Sequence, residues 1–189
     1  MKTIDEIIDD IIQREGGYND IKEDKGGATN FGISLRYASG IGLDLDNDGD
    51  VDKDDIRIVS IEKAKELYKD DFLYRPKIHL LPLELHPQLF DCSINHGPSQ
   101  AIRFMQLVCV GAEFFPEFDH KGRPNADGVI GPATRKAAEQ ALKEMGPYFH
   151  NAIMEERIAF YNRIVQRDSS QSKFLKGWLK RAKEFEVAT

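Results

Sequence analysis

Ile4, Ile7, Ile8, Ile11 and Ile12 recur at helical spacing and the pattern stops at Gly16-Gly17. The chain therefore opens with an amphipathic helix over residues 3 to 15, capped by Thr3 and closed by the glycine pair. Its last residue is a carboxylate, Glu15. The helix macrodipole is negative at that end, which disfavours the ionised form and raises the pKa, more so with Ile11, Ile12 and Phe31 expected nearby. An acid with a raised pKa suits general acid catalysis, and a locally unfavourable residue marks where function is expected. On spacing alone, a solvated glutamate before a glycine cap would read the same.

Asp24 follows nine residues after Glu15, and then Gly26-Gly27-Ala28-Thr29-Asn30-Phe31-Gly32-Ile33. Short apolar alternation among the glycines of residues 18 to 34 predicts a small hairpin or three-strand lobe. Asp24, beside Lys25, is expected to stay ionised, so the two carboxyls would differ in protonation near neutrality, as glycosidic-bond cleavage requires. Thr29 is placed to hold an attacking water through its hydroxyl. The plain alternatives are a turn-forming Asp24 and an ordinary strand threonine.

The remainder reads mainly as helix. Ser60 caps a segment running to about Phe72 and ended by Pro76. Residues 87 to 110 form a long apolar helix broken near Gly97-Pro98, because proline cannot continue the hydrogen-bond ladder. A loop over 112 to 131 precedes helices at about 132 to 144, 148 to 167 and 171 to 186. With 189 residues, 41% of them hydrophobic, the chain can bury a core of its own.

The formal charge of -6 argues against an electrostatically driven nucleic-acid binder. Its location says more. Residues 44 to 55 hold seven aspartates and one lysine, so this one loop accounts for the whole imbalance. Asp44, Asp46, Asp48, Asp50 and Asp55 fall where an EF-hand loop places ligands, with Gly49 at the sharp turn and Val51 as the apolar tie. The loop predicts a structural Ca2+ site, with aspartate instead of glutamate at the twelfth position. Gly40 and Gly42 interrupt the approach, so an inserted single loop is expected, pinning residues 40 to 60 beside the small lobe. A solvated acidic linker is the alternative.

Cys92 and Cys109 lie in apolar helical stretches and are expected as buried free thiols. No histidine pair has zinc-ligand spacing, and no nucleophile elbow, phosphate-cradling loop or organic-cofactor motif occurs. The N-terminus lacks an apolar signal core, and no run of about eighteen apolar residues is present. The expectation is a chain made in the cytoplasm, without a transmembrane segment, that is exported by another route. Lys173, Lys176, Lys180, Arg181 and Lys183 make the last helix basic, either as a solvated face or as a patch meeting anionic wall polymer.

The string from Glu15-Gly16-Gly17-Tyr18 through Asp24 to Ser34 resembles the opening motif of the glycoside hydrolase family 108 muramidases, some of which are labelled secretion activator proteins. Phe90-Asp91-Cys92-Ser93-Ile94-Asn95-His96-Gly97 resembles the family's Phe-Asp-x-x-x-Asn-x-Gly helix. Asp127-Gly128-Val129-Ile130-Gly131-Pro132-Ala133-Thr134, with Phe174, Gly177, Trp178 and Arg181, resembles its C-terminal peptidoglycan-binding segment. The resemblance implies a mainly α, lysozyme-like fold with a small β-hairpin lobe. It implies a catalytic region over residues 1–110, and a binding segment over 111–189 packed on it as one compact unit. It further implies cleavage between N-acetylmuramic acid and N-acetylglucosamine, with peptidoglycan glycan strands as partner and a monomer sufficing.

Glu15 takes the family's catalytic glutamate. A more distant similarity to phage-type lysozymes gives Asp24 and Thr29 the other roles; Thr29 sits one residue early, which makes Asn30 its substitute. Tyr18, Asn30 and Asn95 are the expected substrate contacts. An inverting reaction needs the carboxyls about 6.5 to 9.5 Å apart and a retaining one about 5 to 5.5 Å. The alternatives are a lytic transglycosylase, using Glu15 alone, and a non-catalytic wall-binding or secretion-assisting protein.

Overall fold

The first helix, α1 (Ile4–Glu15), begins as its sequence requires. The Thr3 hydroxyl accepts the Glu6 amide at 3.2 Å, and the Glu6 carboxylate accepts the Thr3 amide at 2.7 Å. Such reciprocal caps stabilise by about 1 kcal/mol. Ile7, Ile8, Ile11 and Ile12 are buried, and the Gly16 amide closes the helix on the Ile12 carbonyl at 3.0 Å. The coordinates are a computed structural model and describe residues 2–20 and 27–188. The chain divides into two compact units, Lys2–Asp71 and Phe72–Thr189, both mainly α-helical.

In the first unit, β1 (Thr29–Asn30) and β2 (Ile33–Ser34) pair antiparallel, with Thr29 opposite Ser34 and Asn30 opposite Ile33. Asn19 bridges the outer side of Thr29, so the predicted lobe exists in miniature. Phe31 and Gly32 turn the hairpin with φ of 51° and 82°, the two positive values that a type I′ connection demands. Then come α2 (Leu35–Ile41), α3 (Lys53–Ile58) and α4 (Ile61–Lys69). Ala28, Ala38 and Ile56 are fully buried with Leu35, Leu43 and Val51 packed over them. Helix α4 packs on α1 through a face that buries Ala64, Leu67 and Tyr68, with Lys65–Asp9 and Lys69–Asp5 ion pairs at its rim. Exposed pairs of this kind contribute little, so burial holds the two helices together.

The second unit holds α5 (His86–His96), α6 (Pro98–Gly111), α7 (Pro132–Met145), α8 (Pro147–Arg167) and α9 (Ser172–Ala182). Gly-Pro pairs at 97–98, 131–132 and 146–147 each start a helix, since proline at the first helical position loses no hydrogen bond. Residues 112–131 are irregular apart from a single bridge between Phe118 and Pro124. Asp91 is buried where three helices meet. Its carboxylate accepts Arg157 Nη1 at 2.8 Å from α8, and Arg181 Nη2 at 2.7 Å and Nε at 2.9 Å from α9. Two of the motif blocks, 90 residues apart in sequence, thus touch.

Arg157 also donates to the Tyr161 hydroxyl and to His96. Tyr161, Trp178 and Phe174 continue outward as a stack with centroids 5.1 and 5.8 Å apart. Cys92 and Cys109 are buried and free, as expected. Among the described residues no helix is long and apolar enough to cross a membrane.

Candidate active site

Glu15 ends α1 against the hairpin tip. The Gly16 carbonyl accepts the Phe31 amide at 3.1 Å, and the Tyr68 hydroxyl of α4 donates to the Phe31 carbonyl at 3.4 Å. Gly32 is what allows this approach. A methyl group there would collide with the Tyr68 hydroxyl and come within 3.2 Å of Glu15 Cγ. Helix end, hairpin and tyrosine therefore converge on one carboxylate.

Ile11 and Ile12 are buried, but Glu15 itself is exposed, so hairpin backbone and a phenol adjoin it rather than the expected apolar enclosure. Burial, and then the charge of Glu15, push the Tyr68 phenol up to about 12. It stays a neutral hydroxyl at any physiological pH. Tyr68 was not among the predicted site residues, because within a periodic apolar segment an inward tyrosine reads as core.

Thr29 is half-buried, its backbone paired with Asn19 on one side and Ser34 on the other. Successive strand residues face opposite ways. Asn30 accordingly turns inward, 4% exposed, and its amide donates to the carbonyls of Ile56 at 2.9 Å and Val59 at 3.2 Å. That amide is engaged in holding the end of α3. Tyr18 is partly exposed with the Arg57 guanidinium over its ring at 5.2 Å, and Lys53 pairs with Asp20 at 2.8 Å. Asp24 lies outside the described residues. Asn95 belongs to the second unit, exposed near the end of α5, with its amide on the Asp91 carbonyl at 2.6 Å.

The acidic loop is folded around its own carboxylates. Asp44 accepts the Asn47 and Gly49 amides, Asp46 accepts Asp48, and Asp48 accepts Asp50. Asp55 is buried, taking the amides of Leu45 at 2.6 Å and Asp52 at 2.8 Å. The Asp52 and Leu45 hydrogen bonds hold its pKa below the usual carboxylate range. Asp50 moves the other way, chiefly because of the Asp48 charge.

Two carboxylate triads result, Asp44 with Asp46 and Asp48, and Asp50 with Asp52 and Asp55, the oxygens of each within 4.8 Å of one another. The cluster can hold a metal ion. Asp52 is the member that the predicted ligand set omitted; it also caps α3. The loop's exit helix is the element fastened to the hairpin lobe by Asn30, Arg57 and Lys53.

Residues 8–97 match the family model described as "Glycosyl hydrolase 108", and residues 112–183 match that of a "Predicted Peptidoglycan domain". No curated protein matches the chain. Among solved structures, "Structure of Brucella abortus SagA" is similar at 26% identity and a TM-score of 0.64, over 97% of this chain and 91% of that one. The segment that carries Glu15 and the hairpin, just under half of the chain, is thus the part that is similar to glycosyl hydrolase family 108.

Proposed function

We propose that this protein hydrolyses the peptidoglycan bond between N-acetylmuramic acid and N-acetylglucosamine, with Glu15 as the general acid. The observation that carries the reading is the convergence of the α1 terminus, the Gly32 hairpin tip and the Tyr68 hydroxyl on one exposed carboxylate inside the glycosyl hydrolase 108 segment. Glu15 donates its proton to the departing sugar oxygen. Asp24 and Thr29 activate water on the opposite face of the ring. Tyr18 and Asn30 are assigned to the substrate side, Asn30 by fixing the strand that carries Thr29.

Residues 1–110 form the catalytic region in this scheme and 111–189 the wall-binding segment of a protein acting alone on the cell wall after export. The loop 44–55 holds Ca2+, as its spacing, its glycine turn and its two triads fit a hard cation with oxygen ligands. The ion there has a structural task. It offsets the mutual repulsion that raises the Asp50 pKa, and steadies α3 and the lobe fastened to it.

Zymography on purified peptidoglycan tests the assignment. Wild type clears the gel, and Glu15→Gln loses clearing by about 100-fold or more, the scale of a removed general acid. Equal clearing by both chains overturns the role of Glu15. Products with a free reducing end indicate hydrolysis, whereas anhydro products would move the reaction to the transglycosylase class.

A further inference from the structure

A groove of about 670 Å³ lies in the second unit between α6, α8 and the loop of residues 112–131. That volume is in the range of ligand sites. Its composition is unusual. Gln100, Arg103 and Leu107 line it from one face of α6, and Phe160, Arg163, Ile164 and Arg167 from one face of α8. Arginine alternates with apolar residues along α8, and a single arginine faces them from α6.

Arg103 donates to the Asp127 backbone carbonyl at 3.3 Å, and Arg123 is paired with Asp119. Among the described residues neither Arg163 nor Arg167 has an ion-pair partner. Like charges four apart on a helix repel. The helix dipole favours Arg167 in the last turn but gives no reason for Arg163 a turn earlier. Asp127, the one carboxylate in the lining, is engaged by the Val129 amide at 2.8 Å and by Gln106 at 3.1 Å. Gln106 is buried and also accepts the Gly128 amide, so the groove's loop wall is held in place rather than left to fold over the arginines.

We propose that this groove is a second substrate site that binds the stem peptide of peptidoglycan. Arg103, Arg163 and Arg167 take its free carboxylates, and Leu107, Phe160 and Ile164 take its short aliphatic side chains. A guanidinium offers a planar fork matched to carboxylate. The apolar floor favours a peptide carrying methyl groups over a phosphate polymer, whose repeating charge leaves such a floor without a partner. The inference rests on peptidoglycan being the substrate and adds that the peptide, as well as the glycan, is read.

Calorimetric titration of the full-length Glu15→Gln chain tests it with four probes. These are a disaccharide tetrapeptide with free carboxylates, the same molecule with its carboxylates amidated, the peptide-free disaccharide, and inorganic phosphate. The first binds about tenfold or more tightly than the second and third, the scale of one charge-assisted contact. Arg163→Gln/Arg167→Gln removes that advantage, and Arg163→Lys/Arg167→Lys restores part of it. Equal affinity for the first three probes, unaltered affinity in the Gln double variant, or a preference for phosphate would each overturn the stem site. The amidated probe on the parent chain decides even should the double variant fail to fold. Clearing of polymeric peptidoglycan by the Glu15→Gln chain would overturn the catalytic assignment and leave the stem site standing.

Discussion

Gly32 carries two demands at one position, a positive φ and the absence of a side chain beside Tyr68 and Glu15. Gly32→Ala meets neither, so the strained backbone and the displaced phenol are expected to destabilise the chain by about 1 to 3 kcal/mol. A urea titration measures this, and peptidoglycan clearing is expected to fall with it, since the hairpin tip would leave Glu15. The glutamate was legible from the sequence because a helix stop is written in glycines. Tyr68 was not, because its contact with the hairpin is 37 residues away and only the fold supplies it. Asn30 shows the same limit. It was read as a substrate contact and as the substitute for Thr29, and the fold adds what the sequence did not show, an amide spent on carbonyls 26 and 29 residues further on.

Among the elements, the long helices were legible wherever a period or a Gly-Pro pair marked them. Helices α2 and α3, with seven and six residues, are too short for a period to register and were missed. Both flank the acidic loop, which ties that loop's stability to the lobe. Calcium at about 100 times its dissociation constant is expected to add about 2.7 kcal/mol, which raises the melting temperature by about 5 to 10 °C. Scanning calorimetry with and without a chelator checks it, and Asp44→Ala/Asp46→Ala should abolish the shift.

A second element-scale device is Gln106, which sits in a long apolar helix and holds the loop leading into α7. Its side chain bonds Asp127, Gly128, Val129 and Thr134. Gln106→Ala orphans several of these buried groups and is expected to cost about 2 to 4 kcal/mol in a denaturant titration. The motif Asp-Gly-x-x-Gly-Pro-x-Thr is thus a backbone shape that one glutamine reads, with Gly128 keeping clear of the Ser99 carbonyl.

For the whole molecule, compact units and matched segments divide the chain differently. The first matched segment runs to residue 97, but the first compact unit ends at Asp71. Residues 72–97 therefore share a unit with the segment that matches the predicted peptidoglycan domain, locked to it by Asp91 between Arg157 and Arg181. Beside this cluster His96 is held neutral down to about pH 4, by burial first and the Arg157 charge second. An unfolded histidine protonates near 6.5, so between about 6.5 and 4 only the unfolded chain takes up this proton. Stability therefore falls as the pH drops through that window and is unaffected by this group above it. Burial depresses His150 in the same direction. Urea titrations at pH 7.5 and 4.5 are expected to differ, with His96→Gln recovering about 1 to 3 kcal/mol of the difference after allowance for its partial exposure.

The two thiols carry a consequence for where such a molecule can travel. Burial pushes Cys92 up to about 11 and Cys109 to about 12, so neither presents the thiolate that oxidants and disulfide carriers attack. In passage from a reducing compartment to an oxidising one, burial keeps these two thiols of the folded protein out of reach of disulfide exchange.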